Sequence, residues 1–182
     1  MSTTIKFPPV KEIALIGILS ALNITSRIYL QFLPNIKPVT SIIIISVLLF
    51  GLSFGIKLTF VTTIVSDVFL GMGLWTVFQI FAWVMICLLT QGLKSFFQLR
   101  KKDPPLLLLA IFSALMGYVF GFFVSFEQFC YGGWGLFIPY WIAGLSFDTL
   151  HAGGNFFFYL ICSPLLMKVF KIEALKLNKG AK

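Results

Sequence analysis

Charge is what this chain has least of. Only 11% of its 182 residues are Asp, Glu, Lys or Arg, against roughly 25% in soluble domains. There are six acidic residues and one histidine, His151. A lone histidine excludes a multi-histidine metal site, and no HExxH occurs. Cysteine is scarce too. Cys87, Cys130 and Cys162 are isolated and odd in number, without CxxC spacing, so neither a zinc site nor a disulfide framework is indicated. No Walker A pattern is present, because Gly51 to Lys57 has the wrong spacing. A Ser-His protease would have to use Ser146 and His151. These lie five apart on one stretch, where side chains point to different faces, and Gly144-Leu-Ser146-Phe lacks the second glycine of a rhomboid-type nucleophile. An enzyme is therefore not expected, and neither is a metal or cofactor. Internal inverted repeats, common in secondary transporters, are not visible.

Apolar residues fill the space that charge leaves. The chain is 59% hydrophobic, with 22 Phe and a mean hydropathy of +0.99. This composition predicts an all-α integral membrane protein, a single domain over residues 1–182, with room for about six spans of ~20 residues. The start MSTTIKFPPVKE lacks a signal-peptide pattern, so the first helix is expected to be retained.

The expected spans follow from the turn residues. Helix 1 runs from about Val10 to Phe32, and Pro34 and Pro38 bracket the next loop. Helix 2 starts near Val39. Gly51 to Lys57 reads as a tight turn, and helix 3 continues to about Leu70. These two spans are short for a bilayer of ~30 Å, and sequence leaves open whether they are little tilted, broken or enclosed by neighbours. Helix 4 runs from Trp75 to about Phe97, ahead of the polar break QLRKKDPP at Gln98–Pro105. Helix 5 opens at Pro104 or Pro105 and runs to about Phe126. A Gly- and aromatic-rich loop is expected from Glu127 to Ser146, and helix 6 from about Phe147 to Phe170.

With six spans the cations segregate. Lys6, Lys11, Lys57, Lys94, Arg100, Lys101, Lys102, Lys168, Lys171, Lys176, Lys179 and Lys182 fall on one side, and only Arg27 and Lys37 on the other. The positive-inside rule then places both termini in the cytoplasm. The net charge of +8 follows this topology, so it is not a nucleic-acid footprint. Asn23, Arg27, Thr40, Asp67, Gln79, Asp148, His151 and Asn155 come from different helices yet share one depth in the outer half. Ionisable groups inside a membrane are expensive and point to function. The plainer alternative is an ion pair of Arg27 with Asp67 or Asp148 that ties helices together.

The stretch Gly71–Trp83, GMGLWTVFQIFAW, is a Gly-rich turn leading into a helix, with Thr76, Gln79 and Trp83 on one face. It reads as the wall of a binding site, although Trp75 also suits an aromatic belt at the membrane interface. Ala14, Gly17 and Ala21 on helix 1, and Ser113, Gly117 and Gly121 on helix 5, are small residues at spacings that let membrane helices approach closely.

Three motifs carry a resemblance that covers nearly the whole chain. They are Lys37-Pro38-Val39-Thr40, Gly71-x-Gly73-x-Trp75-Thr76-x-x-Gln79-x-Phe81-Ala82-Trp83, and Phe147-Asp148-x-x-His151-Ala152-x-x-Asn155. The chain resembles the substrate-binding S components of energy-coupling factor (ECF) vitamin transporters, in the branch that includes the cobalamin-specific S component. The resemblance implies a multi-pass protein of the prokaryotic plasma membrane, with a transmembrane coupling subunit and two ATPases as partners. It implies transport by toppling of the S component in the bilayer. It also implies docking on the coupling subunit through Ala14, Gly17 and Ala21, which depart from a strict Ala-x-x-x-Ala. Cobalamin is the expected ligand, roofed by the 127–146 loop. Trp75, Trp83, Tyr131 and Trp134 would supply its walls, and Asn23, Thr40, Thr76, Gln79 and Asn155 its polar contacts. Arg27 or Lys37 would meet its phosphate, with Asp67 and Asp148 positioning the cation and His151 serving as a hydrogen-bonding strut. Pantothenate and riboflavin are the alternative ligands.

Overall fold

The computed structural model describes residues 5, 7–99 and 104–180, and the side chains of these except 99 and 171–180. Lys6, Arg100, Lys101, Lys102 and Lys182 lie outside the described residues, as do the side chains of Lys171, Lys176 and Lys179. The described residues form helices and no strand. The elements are α1 (Pro9–Tyr29), α2 (Val39–Phe50), α3 (Leu52–Leu70), α4 (Leu74–Leu99) and α5 (Leu106–Gly180). All but α2 are long and apolar enough to cross a membrane.

Five helical elements stand where six were expected, and the reason lies in α5. This 75-residue run leaves helical geometry only at Gly132 (φ −155°) and Gly133 (φ 60°, ψ −151°). There the chain doubles back, so that limbs 106–131 and 134–180 pack side by side. Tyr118 Oη lies 3.0 Å from Thr149 Oγ1, and the Phe122–Trp141 and Phe126–Phe137 ring pairs close the tip at 5.3 and 4.6 Å. The expected loop from Glu127 to Ser146 is thus helix on both sides of a two-residue break. Its aromatics recur every three or four residues and pack across the hairpin, which outweighs the loop-like composition.

Other boundaries shift for local reasons. α1 stops at Tyr29 rather than Phe32, with Leu30 N–H closing its last turn on Ser26 O. The expected turn over Gly51–Lys57 contracts to Gly51, whose φ of 95° suits glycine, and α3 opens at Leu52. Gly55 lies inside α3, where a Cβ would run into the Val47 side chain and sit 3.2 Å from Cys87 Sγ. It is the close crossing of α2, α3 and α4.

The short α2 is neither broken nor exposed. All twelve of its residues are buried, and it touches α1, α3, α4 and α5. At about 18 Å it is well short of a ~30 Å hydrocarbon layer. A helix that is hydrophobic all round belongs in a core, and here its neighbours are the core's walls. The small-residue row on α5 also turns inward. A Cβ on Gly117 would lie 2.7 Å from the Ala152 backbone N, and Ser113 Oγ lies 3.3 Å from Ser41 Oγ.

The bundle has two unlike ends. At one, Ile5 N–H donates to Leu49 O (2.9 Å), Phe50 packs tilted against Phe7 and Phe54 and edge-on to Phe170, and Lys57 pairs with Glu12 at 2.8 Å. Lys94 Nζ donates to Val47 O (3.4 Å) in the last turn of α2, where the helix dipole favours a cation. Arg27 and Lys37 lie at the opposite end. The Gly133 conformation gives a direct test. A Cβ there meets nothing within 4 Å, so the constraint is backbone strain alone. Gly133→Ala should cost about 1–3 kcal/mol, whereas Gly135→Ala, inside the second limb and equally uncrowded, should be neutral or stabilising. Thermal unfolding in detergent compares the two, and equal melting temperatures would contradict the hairpin.

Candidate functional site

At the Arg27 end, one polar network joins all five helices. Arg27, in the last turn of α1 and 6% exposed, donates from both terminal nitrogens. Nη1 donates to Ser66 Oγ (2.7 Å), and Nη2 donates to Asp67 Oδ1 (2.9 Å) and Gln79 Oε1 (2.7 Å). Its Cζ lies 5.2 Å from the centroid of the Trp83 ring, a cation–π distance. Gln79 and Trp83 are one turn apart on α4, and Thr62 and Ser66 one turn apart on α3, so each helix presents a polar face at this depth. Trp83 Nε1–H donates to Thr40 Oγ1 (3.1 Å), and Thr40 Oγ1 lies 3.1 Å from His151 Nε2. Asn23 Nδ2 donates to Thr62 Oγ1 (3.4 Å). The ion pair is therefore Arg27 with Asp67, not with Asp148.

Above this network lies a cleft of about 400 Å³, bordered by Gln79 and Phe120 from below and by Tyr140, Phe147 and Asp148 of the second α5 limb. A recess of about 80 Å³ shares Asn35, Gln79 and Phe120 with it and is completed by Arg27, Lys37, Val39, Trp83 and His151. Phe120 is the hinge between the two, stacked on Trp83 at 4.7 Å and edge-on to His151 at 5.1 Å. Two charged side chains on these walls make no hydrogen bond or ion pair with any described residue. One is Asp148, 5% exposed, whose carboxylate lies where a Cβ on Gly121 would be. The other is Lys37, in the loop before α2. Burial, and secondarily the Arg27 charge, hold its pKa below the ordinary lysine value.

The sequence-derived residues thus divide. Arg27, Lys37, Gln79, Trp83, Asp148 and His151 line the cleft or its recess. Asn23, Thr40 and Asp67 stand behind them as buried supports. Asn155 is fully buried but lies deeper. Its backbone carbonyl accepts from Ser41 Oγ at 2.9 Å, while its side-chain amide has no partner. Thr76 closes the turn before α4, accepting from Gly73 N–H at 3.4 Å. Trp75 is 40% exposed, beside Gly73 and away from the cleft. Tyr131 and Trp134 are exposed at the hairpin tip, where Tyr131 Oη donates to Glu127 (3.4 Å) and Trp134 packs on Phe129. They are not walls of the cavity. Ser146 is exposed while His151 is buried against Thr40, so the two make no nucleophile–base pair.

Sequence reasoning missed Asn35, Phe120 and the helical face Tyr140, Ala143, Gly144 and Phe147. The spacing of that face was legible, but a stretch read as loop has no faces. Asn35 carries its own signal, a φ of 57° after Pro34, and its Nδ2 donates to Phe147 O (3.4 Å), tying the loop to the second limb. Comparison of the chain with protein families, curated proteins and solved structures finds no match.

The network predicts a non-additive pair of variants. Arg27→Met strands Asp67 at 1% exposure and should cost about 3–5 kcal/mol. Asp67→Asn in the same background should recover part of that loss, because it removes the stranded charge. Thermal unfolding of the two single variants and the double variant checks this, and simple additivity would contradict it.

Proposed function

We propose that this chain is the solute-capture subunit of an ECF-type importer. The observation that carries the reading is a cleft and adjoining recess carrying two charges unpaired among the described residues, the buried Asp148 and the half-buried Lys37, set at one end of an apolar helical bundle whose remaining described cations lie at the other end. By the positive-inside rule the Arg27 end faces outward. The two α5 limbs, counted separately, then bring both termini to the cytoplasmic side. An outward cleft in a chain without a nucleotide-binding motif fits capture of a solute, with transport driven by partner ATPases. The coupling surface we propose is the free face of α1. Ala14, Gly17 and Ala21 are exposed, and nothing lies within 4 Å of a Cβ built on Gly17. The reading includes toppling of the bundle against a coupling subunit in the plasma membrane, and the exposed α1 face supports it.

Cobalamin is the ligand that the motifs favour. The cavity size favours a second reading. About 400 Å³ lies in the range of pockets that enclose drug-sized molecules, roughly 300–1,000 Å³. A pantothenate or a riboflavin suits such a volume, whereas a corrinoid is larger than the cleft.

Thermal stabilisation of the purified chain by cobalamin, pantothenate and riboflavin separates these readings. One of them should raise the melting temperature. Gln79→Ala, which alters both cavities and frees Arg27, should weaken that ligand by about tenfold, or ~1.4 kcal/mol. Stabilisation by none of the three would sink the vitamin reading. Gly17→Leu or Ala21→Leu should leave binding intact and abolish uptake in cells carrying the coupling module, because a bulky side chain blocks close helix approach. Unchanged uptake in both variants would remove α1 as the docking helix.

A further inference from the structure

The recess beside the cleft has a chemical polarity that follows from one histidine. Trp83 Nε1–H can only donate, so Thr40 Oγ1 is its acceptor at 3.1 Å. Thr40 keeps its own proton, and His151 Nε2 stands 3.1 Å away. If Thr40 donates to Nε2, the ring proton sits on Nδ1 and one buried donor is left over. If Nε2 carries the proton instead, the Thr40 hydroxyl proton and the Nδ1 lone pair are both left over. Buried polar groups without partners are costly, so the first arrangement prevails and His151 keeps Nδ1–H as its spare donor. That nitrogen is buried without a hydrogen-bond partner among the described residues, on a residue 6% exposed that lines the recess.

Two further features of the recess have the same sign. Lys37 lines it without an ion-pair partner among the described residues. Val39 lines it as the first residue of α2, a twelve-residue helix whose N-cap is Pro38 and which has no side-chain cap. The first-turn N–H groups of such a helix lack intrahelical acceptors and favour an anion. Arg27 also borders the recess, with three of its five N–H groups given to Asp67, Ser66 and Gln79 and its charge paired with Asp67.

We propose that this recess is an oxyanion subsite in which Lys37, His151 Nδ1–H and the start of α2 hold a carboxylate or phosphate of the captured solute. The occupant rests on the capture reading; the anion preference does not. Asp148, on the wall of the wider cleft, repels the same group there and so orients the solute with its anionic end toward α2.

The test uses the full chain in detergent with Trp75, Trp134 and Trp141 replaced by Phe, so that Trp83 in the recess wall reports alone. Inorganic phosphate and acetate are titrated against a chloride control. The expected result is a saturable Trp83 response to one of them, absent with chloride, weakened about tenfold by Lys37→Met and kept by Lys37→Arg. Preference for phosphate or for acetate tells which oxyanion the solute carries. Lys37 lies in a loop, so these variants leave the packed helices alone. A response matched by chloride, or unchanged in Lys37→Met, overturns the subsite. So does equal binding of pantothenate and its neutral alcohol pantothenol, or of cobalamin and phosphate-free cobinamide, and that result leaves solute capture standing. A saturable phosphate response in a chain that binds no vitamin does the reverse.

Discussion

A guanidinium buried in an apolar bundle must find every partner within the protein, and Arg27 sets the architecture of its end by that requirement. Its donors draw Ser66 and Asp67 from α3 and Gln79 from α4, while Trp83 offers the face of its ring. Desolvating the pair costs several kcal/mol per ion, and the Coulomb attraction repays this only where the hydrogen bonds are nearly complete. The arrangement therefore fixes positions more than it adds stability. Because Trp83 also donates to Thr40, and Thr40 meets His151, the constraint passes from α1 to α5 through side chains that cannot move independently.

The cleft follows from a second constraint, the length of α2. Pro38 precedes a helix of about 18 Å, and the α5 hairpin does not stop where α2 does. Beyond His151, level with Thr40, the second limb continues for roughly eighteen more residues to Gly133, or ~27 Å of helix. Above the start of α2 the bundle therefore has walls from α4 and the hairpin and no central helix between them. The aromatic zipper of Phe122, Phe126, Phe137 and Trp141 holds the two limbs together over this overhang.

Much of this was legible in the residues. The apolar spans stood out by hydropathy, and the shared depth of Arg27, Asp67, Gln79 and His151 followed from counting along them. The choice of Asp67 over Asp148 did not, because it depends on which helices are neighbours. Nor did the burial of α2. SIIIISVLLF is apolar on every face, so its period says nothing of what surrounds it. The costliest misreading was the 127–146 stretch. Glycine and aromatics resemble a loop in composition, yet only Gly132 and Gly133 leave helical geometry. Reading it as a loop hid Tyr140 and Phe147 as cleft walls and assigned that role to Tyr131 and Trp134 at the tip. Trp75 was misplaced differently: it is one turn from Gln79 on α4, but it sits in the first turn of that helix, 40% exposed and packed beside Gly73, beyond the reach of the cleft.

Lys37 and Asp148 complete the physical picture by standing outside the network. Arg27 and Asp67 show that this fold can bury a cation when an anion is brought to it. The same bundle leaves a half-buried lysine on the recess and a buried carboxylate on the adjoining cleft without joining them, although an unpaired desolvated charge is among the most destabilising things a fold can keep. Packing alone gives no reason to retain the carboxylate, since Asp148 is 5% exposed and has no partner among the described residues. Retention is explained if the partners of both charges come from a solute, whose binding then supplies interactions that folding left unmade. α1 connects that site to the rest of the protein. One of its faces holds Arg27 beneath the cleft, and the other presents Gly17 to the outside. Gln79 and Trp83 both contact Arg27, so the wall of the cleft is tied directly to the helix whose free face we propose for coupling.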